Sequence, residues 1–305
     1  MLRNALGLEM PDRAAKPLGR LIMAVWFAWA APALAETPPV TLLAAGDIAK
    51  CGVAGAAATS KLLDRLPGAV VALGDLAYPQ GTAEQFRDCY GPTWGRHKAR
   101  TWPAPGNHEY FSQDAVPYYA YWGSRAGKPG RGYYGFDLGA WHIIALNSSI
   151  GANEGSAQDR WLRRHLAAAT ARCILAFWHH PVFSSGLHGD NPKMAVMFRR
   201  LHEAGASIVL TGHDHNYERF ATLDADGRLD PQRGIRSFVV GTGGTTPRPI
   251  ENTRKHSRRT GAFTWGLLKL VLFADRYTWE FVPVDGQVLA DTGVKQRAIL
   301  TPLWG

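Results

Sequence analysis

Three cysteines in 305 residues are too few for a disulfide-built scaffold or a cysteine-rich metal cluster. Cys51 and Cys89 each follow a predicted strand end or helix and are candidates to pair in an exported chain. Cys173 lies in a strand-like run and reads as a buried thiol. A nucleophile frame is also missing. Ser184-Ser185-Gly186 has no G-x-S-x-G context, and no serine or cysteine nucleophile is evident elsewhere. There is no internal repeat and no low-complexity linker, so neither a repeat array nor tethered modules is indicated. Long apolar runs are scarce as well: LIMAVWFAWAAPA, residues 21–33, is too short to span a bilayer, and no later segment is longer. It follows a lead containing Arg3, Arg13, Lys16 and Arg20 and precedes Ala33-Leu34-Ala35, a small-x-small cleavage pattern. Residues 1–35 are therefore expected to be a signal peptide. Residues 36–305 would be a single domain, periplasmic or secreted, with no membrane segment after cleavage. Acidic residues are in deficit, 25 against 34 basic, for a net charge of +9. Residues 1–35 hold four basic and two acidic side chains, which leaves +7 on residues 36–305. Such a surface suits nucleic acid, anionic lipid or a phosphorylated substrate, and equally plain solubility, so charge alone does not choose.

What is present is a series of short apolar strands separated by helices and loops. VTLLAAG (40–46) and AVVALG (69–74) read as buried strands, with a helical stretch, VAGAAATSKLLDRL, between them. YYGFDLG and WHIIALN (133–147) look like a hairpin. Ser156, with Asp159 three residues on, caps a helix over SAQDRWLRRHLAAATA. CILAFW (173–178) is a strand, NPKMAVMFRRLHEAG a helix and SIVL (207–210) a strand, after which the pattern turns to β alone. PRPIENTRKHSRRTG (247–261) is polar and basic and is expected to be a mobile surface loop. Strand–helix units first and strands last indicate a layered α/β sandwich in one domain.

The chemistry-bearing residues follow the predicted strands. They are GDIA (Asp47), GDLAY (Asp75, Tyr78), GNHEY (Asn107, His108), WHHP (His179, His180) and GHDHNYER (His213, His215). Open α/β sheets place their sites at the carboxyl ends of strands. A lone histidine at a strand–loop boundary is more often packed or solvated than ligating, but five successive strand ends reverse that balance. Aspartate, asparagine and histidine without cysteine form a mixed oxygen and nitrogen set suited to iron, zinc or manganese. Two carboxylates and three histidines exceed what one tetrahedral ion needs. Two ions roughly 3.5–4 Å apart clamp the attacking and leaving oxygens of an in-line displacement at phosphorus.

The ordered set GD…GDxxY…GNHE…HHP…GHxH resembles the calcineurin-like metallophosphoesterase superfamily, and within it the purple-acid-phosphatase-like branch, from about Val40 to Asp291. That resemblance implies a four-layer αββα sandwich, two mixed β-sheets flanked by helices, with a dinuclear site at its rim. GHDHNYER is similar to that branch's GHxHxYER, including Tyr217, Glu218 and Arg219. The wider superfamily opens with Asp-x-His, and here Ala49 takes the histidine's place. The purple-acid-phosphatase pattern also lacks that histidine and places a tyrosine three residues after the bridging aspartate, where Tyr78 stands. Matched residue by residue, metal 1 would take Asp47, Asp75, Tyr78 and His215, and metal 2 would take Asp75, Asn107, His179 and His213. A phenolate is a hard anionic ligand, so Tyr78 implies Fe(III) at site 1, with Fe, Zn or Mn at site 2. His108 would hydrogen-bond the phosphate or the bridging hydroxide. His188, nine residues after His179, resembles the substrate-side histidine of mammalian-type acid phosphatases and is the candidate general acid. His180 sits beside a ligand at a place where relatives vary. His97, His142, His165, His202 and His256 fit no motif and read as structural or surface residues.

The implied activity is hydrolysis of a small phosphomonoester through attack by a metal-activated hydroxide. A phosphodiesterase or nuclease of the same fold is the alternative, with RKHSRR (254–259) its best support and nucleic acid a less favoured partner. A non-catalytic metal- or phosphate-binding surface protein would be expected to have broken ligands, and none of the seven is broken.

Overall fold

The computed structural model describes residues 37–169 and 173–296. The signal-peptide assignment of residues 1–35 lies outside the described residues. In chain order the strands are β1 (Val40–Ala45), β2 (Ala49–Lys50), β3 (Ala69–Leu73), β4 (Ala77–Tyr78), β5 (Thr101–Ala104), β6 (Tyr134–Leu138), β7 (Trp141–Ala145) and β8 (Cys173–Phe177). They continue as β9 (Ile208–Thr211), β10 (Tyr217–Leu223), β11 (Ile235–Val240), β12 (Ser257–Gly261), β13 (Gly266–Leu272), β14 (Arg276–Pro283) and β15 (Thr292–Gln296).

Two mixed sheets result. One runs β15-β14-β13-β1-β3-β5 and the other β12-β10-β11-β9-β8-β7-β6. In the first, β1, β3 and β5 are parallel, and β13, β14 and β15 continue antiparallel from β1. In the second, β7, β8, β9 and β11 are parallel, with antiparallel β6, β10 and β12 outside them.

Side-chain alternation shows how the layers stack. Along β8, Cys173, Leu175 and Phe177 join the large core, while Ile174, Ala176 and the following Trp178 join a second cluster with Leu162, Met197, Phe198 and Leu201. These last four come from helices Ala157–Ala168 and Ala195–Glu203, which therefore cover the outer face of the second sheet. Its inner face meets β14, where Tyr277 contacts Trp141, Trp279 contacts Phe238 and Phe281 contacts Tyr217. Helix Gly55–Arg65, connecting β1 to β3, buries Ala56, Thr59, Leu62 and Leu63 at helical spacing. The expected αββα sandwich is the observed fold. Ser156 caps its helix as expected, its Oγ accepting the Asp159 N–H at 3.1 Å.

The structure departs from the sequence expectation at two strands. Residues 257–261, expected within a mobile loop, form β12, paired antiparallel to β10. An edge strand needs partners on one side only and can keep charges such as Arg258 and Arg259 in solvent. β5, TWPA, escapes pattern reading because Pro103 interrupts it; as the edge of its sheet it tolerates the missing N–H. Cys173 is buried, its Sγ 3.4 Å from the Ala274 carbonyl. No helix among the described residues is long and apolar enough to cross a membrane.

Candidate metal centre

The carboxyl ends of β1, β3 and β5 from one sheet and of β8 and β9 from the other supply a single cluster. Backbone bonds stitch the two edges together: Gly46 N–H donates to Val240 O at 2.9 Å and Gly243 N–H to Gly46 O at 2.8 Å. Asp47, Asp75 and His213 leave their strands with φ of 60°, 51° and 71°, the left-handed region that non-glycine residues rarely adopt. Such conformations concentrate at sites where the surrounding structure over-determines them. Two preceding glycines are required by close approach. A Cβ at Gly106 would stand 2.1 Å from Asp75 Oδ1, and one at Gly212 would stand 2.6 Å from Asp47 Oδ2.

The two Gly-Asp turns are held side by side by the short parallel pair β2–β4, with Ala49 opposite Ala77 and Lys50 opposite Tyr78. The Tyr78 hydroxyl thereby lies 2.9 Å from Asp47 Oδ1, 3.2 Å from Asp75 Oδ2 and 3.2 Å from His215 Nε2. His215 Nε2 is itself 3.5 Å from Asp47 Oδ1, so four donor atoms converge. Adjoining them, His179 Nε2 is 3.1 Å from Asp75 Oδ2 and 3.2 Å from His213 Nδ1. Asn107 Oδ1 is buried with no hydrogen-bond partner among the described residues, as expected of an oxygen reserved for an ion. His108 completes this side, with Nε2 3.7 Å from Asp75 Oδ2.

Each carboxylate is anchored through one oxygen and presents the other. Asp47 Oδ2 accepts the His213 N–H at 2.7 Å, and Asp75 Oδ1 accepts the His108 N–H at 2.9 Å. The imidazoles are oriented in the same way. Nδ1 of His179 donates to Leu73 O at 2.8 Å and Nδ1 of His215 to Thr246 O at 2.8 Å, which turns both Nε2 atoms inward. Burial pushes His215 down to about 4 and His180 down to about 3, and His213 well below the usual imidazole range. These rings are neutral at pH 7, the form that ligates. Burial also pushes the Asp47 carboxyl up to about 7 against the opposing pull of His179.

Glu109, the last residue of GNHE, carries no role that its sequence context reveals. Fully buried, it accepts the backbone N–H groups of Gly106, Leu76, Asp75 and Ala77 at 2.7, 2.8, 2.9 and 3.3 Å. The YER tail of GHDHNYER is also accounted for. Tyr217 and Arg219 both donate to Asp291, the arginine as a two-pronged fork at 2.8 Å. Glu218 accepts the Ser185 N–H at 2.7 Å.

His188 sits on the loop that Glu218 and Asp214 hold. Asp214, buried between His213 and His215, accepts the His188 N–H at 2.9 Å and the Ser184 hydroxyl. The His188 ring stacks on His213, centroids 4.3 Å apart. His180, beside the ligand His179 in sequence, joins the cluster: ring nitrogens of His179, His180 and His213 lie within 4.8 Å of one another. The doubled histidine in WHHP was the available signal. Cys51 and Cys89 form a disulfide that ties the end of β2 to the turn Phe86–Tyr90. His97 and His202 pair with Asp64 and Asp230, and His142 pairs with His165.

The family model for calcineurin-like phosphoesterases matches residues 40–217. Purple acid phosphatase 18 of Arabidopsis thaliana is 28% identical over 225 residues, covering 68% of this chain and 50% of that protein. Probable purple acid phosphatase 20 of the same plant is 29% identical over 179 residues, covering 50% of this chain and 40% of its own length. Among solved structures, the purple acid phosphatase PPD1 from yellow lupin (Lupinus luteus) seeds superposes with a TM-score of 0.73 at 18% identity, over 87% of this chain and 55% of that one. The chain thus spans about half the length of the curated relatives it matches.

Proposed function

Because the chain belongs to the calcineurin-like phosphoesterase family, in its purple-acid-phosphatase-like branch, we propose that it is an exported dimetal phosphatase acting on small phosphomonoesters. Residues 1–35 would be removed on export, and residues 36–305 would act as one domain. Asp47, Asp75, Tyr78 and His215 would hold Fe(III); Asp75, Asn107, His179 and His213 would hold Fe, Zn or Mn. When bound, the two ions supply the charge that neutralises phosphoryl oxygens and acidifies the attacking water.

The observation carrying the assignment is the Tyr78 hydroxyl, within 3.2 Å of Asp47, Asp75 and His215 together. A packed aromatic would have no reason to bury its hydroxyl between two carboxylates and an imidazole. Other groups of this chain would bind and orient the substrate. His108, its Nδ1 donating to Pro79 O at 2.6 Å, would donate from Nε2 to a phosphoryl oxygen as the imidazolium, which carries a proton on both nitrogens. His188 is the candidate acid for the leaving group. That role requires the imidazolium, with a proton on both nitrogens. Here Nε2 accepts from Arg248 at 2.6 Å, which leaves the ring neutral with its one N–H at Nδ1, so an incoming anion would have to draw Arg248 off Nε2 before the ring could take up the second proton. The phosphodiesterase alternative leans on residues 254–259, but Arg254 is committed to Asp190, which favours the monoester reading.

The test is turnover of p-nitrophenyl phosphate against bis-p-nitrophenyl phosphate, with metal content and visible spectrum measured on the same protein. The monoester should be preferred, two ions should be found per chain, and Tyr78→Phe should bleach a tyrosinate-to-iron band. Hydrolysis of neither ester at any pH, or colour that survives the substitution, would overturn the assignment.

A further inference from the structure

We propose that Arg248 is a substrate-binding residue, whose guanidinium takes non-bridging oxygens of the phosphoryl group and favours monoesters over diesters. The proposal rests on the phosphoesterase reading above and adds to it a residue outside every motif.

Three observations carry it. First, Arg248 is fixed to the site by its backbone. Its N–H donates to His215 O at 3.0 Å, while His215 Nδ1 donates to Thr246 O at 2.8 Å, so segment 246–248 is laced to GHDH by two bonds. Second, its side chain is aimed. Nη1 lies 2.6 Å from His188 Nε2, and that ring stacks on His213, one of the converging imidazoles. Arginine can only donate, so His188 is the acceptor and the pair carries one positive charge, located on the guanidinium. Third, no carboxylate among the described residues is within ion-pair distance of this charge. Among the described residues Arg248 makes no ion pair, whereas Arg254, six positions on in the same loop, is paired with Asp190.

A partly buried guanidinium beside a phosphoryl site, with one N–H used and no carboxylate, is matched to an incoming anion. A phosphomonoester offers up to three non-bridging oxygens and nearly two negative charges at neutral pH. A diester offers two oxygens and one charge, so it gains less from the same fork.

The test uses the metal-loaded enzyme with Arg248→Ala and Arg248→Lys. The measurements are kcat and KM for both p-nitrophenyl esters, metal content, and inorganic phosphate binding by competition and by calorimetry. For Arg248→Ala, KM for the monoester and the dissociation constant of phosphate should rise about tenfold to hundredfold. The diester should change less, and two ions should remain bound. The lysine variant should fall between, since it restores the charge but not the fork. Unchanged phosphate binding in Arg248→Ala would overturn the proposal. Loss of metal in both variants would also overturn it, in favour of a structural role at His215. If the unmodified enzyme cleaved neither ester, the phosphoesterase reading would fail, and calorimetry with phosphate would still decide the role of Arg248.

Discussion

Replacing Glu109 by glutamine removes one oxygen from the most heavily used acceptor beside the site. Oε1 accepts Leu76 and Ala77, and Oε2 accepts Asp75 and Gly106. The amide keeps one oxygen and turns its NH2 group, donor against donor, toward the other pair. Two N–H groups are left buried without an acceptor, each costing about 1–3 kcal/mol, for a total of about 2–6 kcal/mol. Domains are stable by only about 5–15 kcal/mol, so this is a large share. Urea unfolding of the metal-loaded protein should show a lower midpoint at unchanged slope, because the exposed surface does not change. The ions should also bind more weakly, since the same bonds hold Asp75 at its φ of 51°. A shift of less than about 1 kcal/mol, the size of an ordinary substitution, would refute the bookkeeping of these four N–H groups.

Further outcomes are expected elsewhere. Cys51→Ser with Cys89→Ser opens a loop of 38 residues and should cost about 3–4 kcal/mol, read as a fall in Tm; equal melting with and without reductant in the parent protein would contradict this. Gly106→Ala should cost the site its ions, because the new Cβ displaces Asp75, and full metal content in that variant would sink the close-approach argument. Asp291 is raised by burial but lowered further by Arg219 and Tyr217, and sits below the usual carboxylate range. Its contribution is therefore present above the unfolded value near pH 4 and is lost as pH falls through the lower folded value. Asp291→Asn should melt well below the parent at pH 7, with the gap narrowing as pH falls below about 4, and a constant gap would show the charge is not responsible.

Most of the fold, and the order of its site residues, could be read in the sequence because the information is local. An apolar run ending in Gly-Asp or His-His states both a buried strand and what its carboxyl end offers. β12 was illegible because an edge strand can be wholly polar, and β5 because proline masks a strand that needs partners on one side. Glu109 carries no visible partner in sequence, since its four donors lie on two separate turns. Arg248 is further from view still: it meets His188 across 60 residues, through two loops whose own sequences specify no contact. His180 was hidden by its neighbour, two identical residues giving no indication which of them the cluster uses.

The converging donors come from opposite halves of the sandwich: Asp47, Asp75, Tyr78 and Asn107 follow strands of one sheet, His179, His213 and His215 strands of the other. Whatever binds there acts as a rivet through two plates. Sliding of one sheet over the other would pull the donors apart, so occupancy and the stacking of the layers must be lost together. A ligand at a thousand times its dissociation constant adds about 4 kcal/mol to the folded state, and here that gain falls on the seam between the plates. Chelation should then do more than silence the site: it should loosen the two halves from each other, and the rim should be where the molecule first comes open.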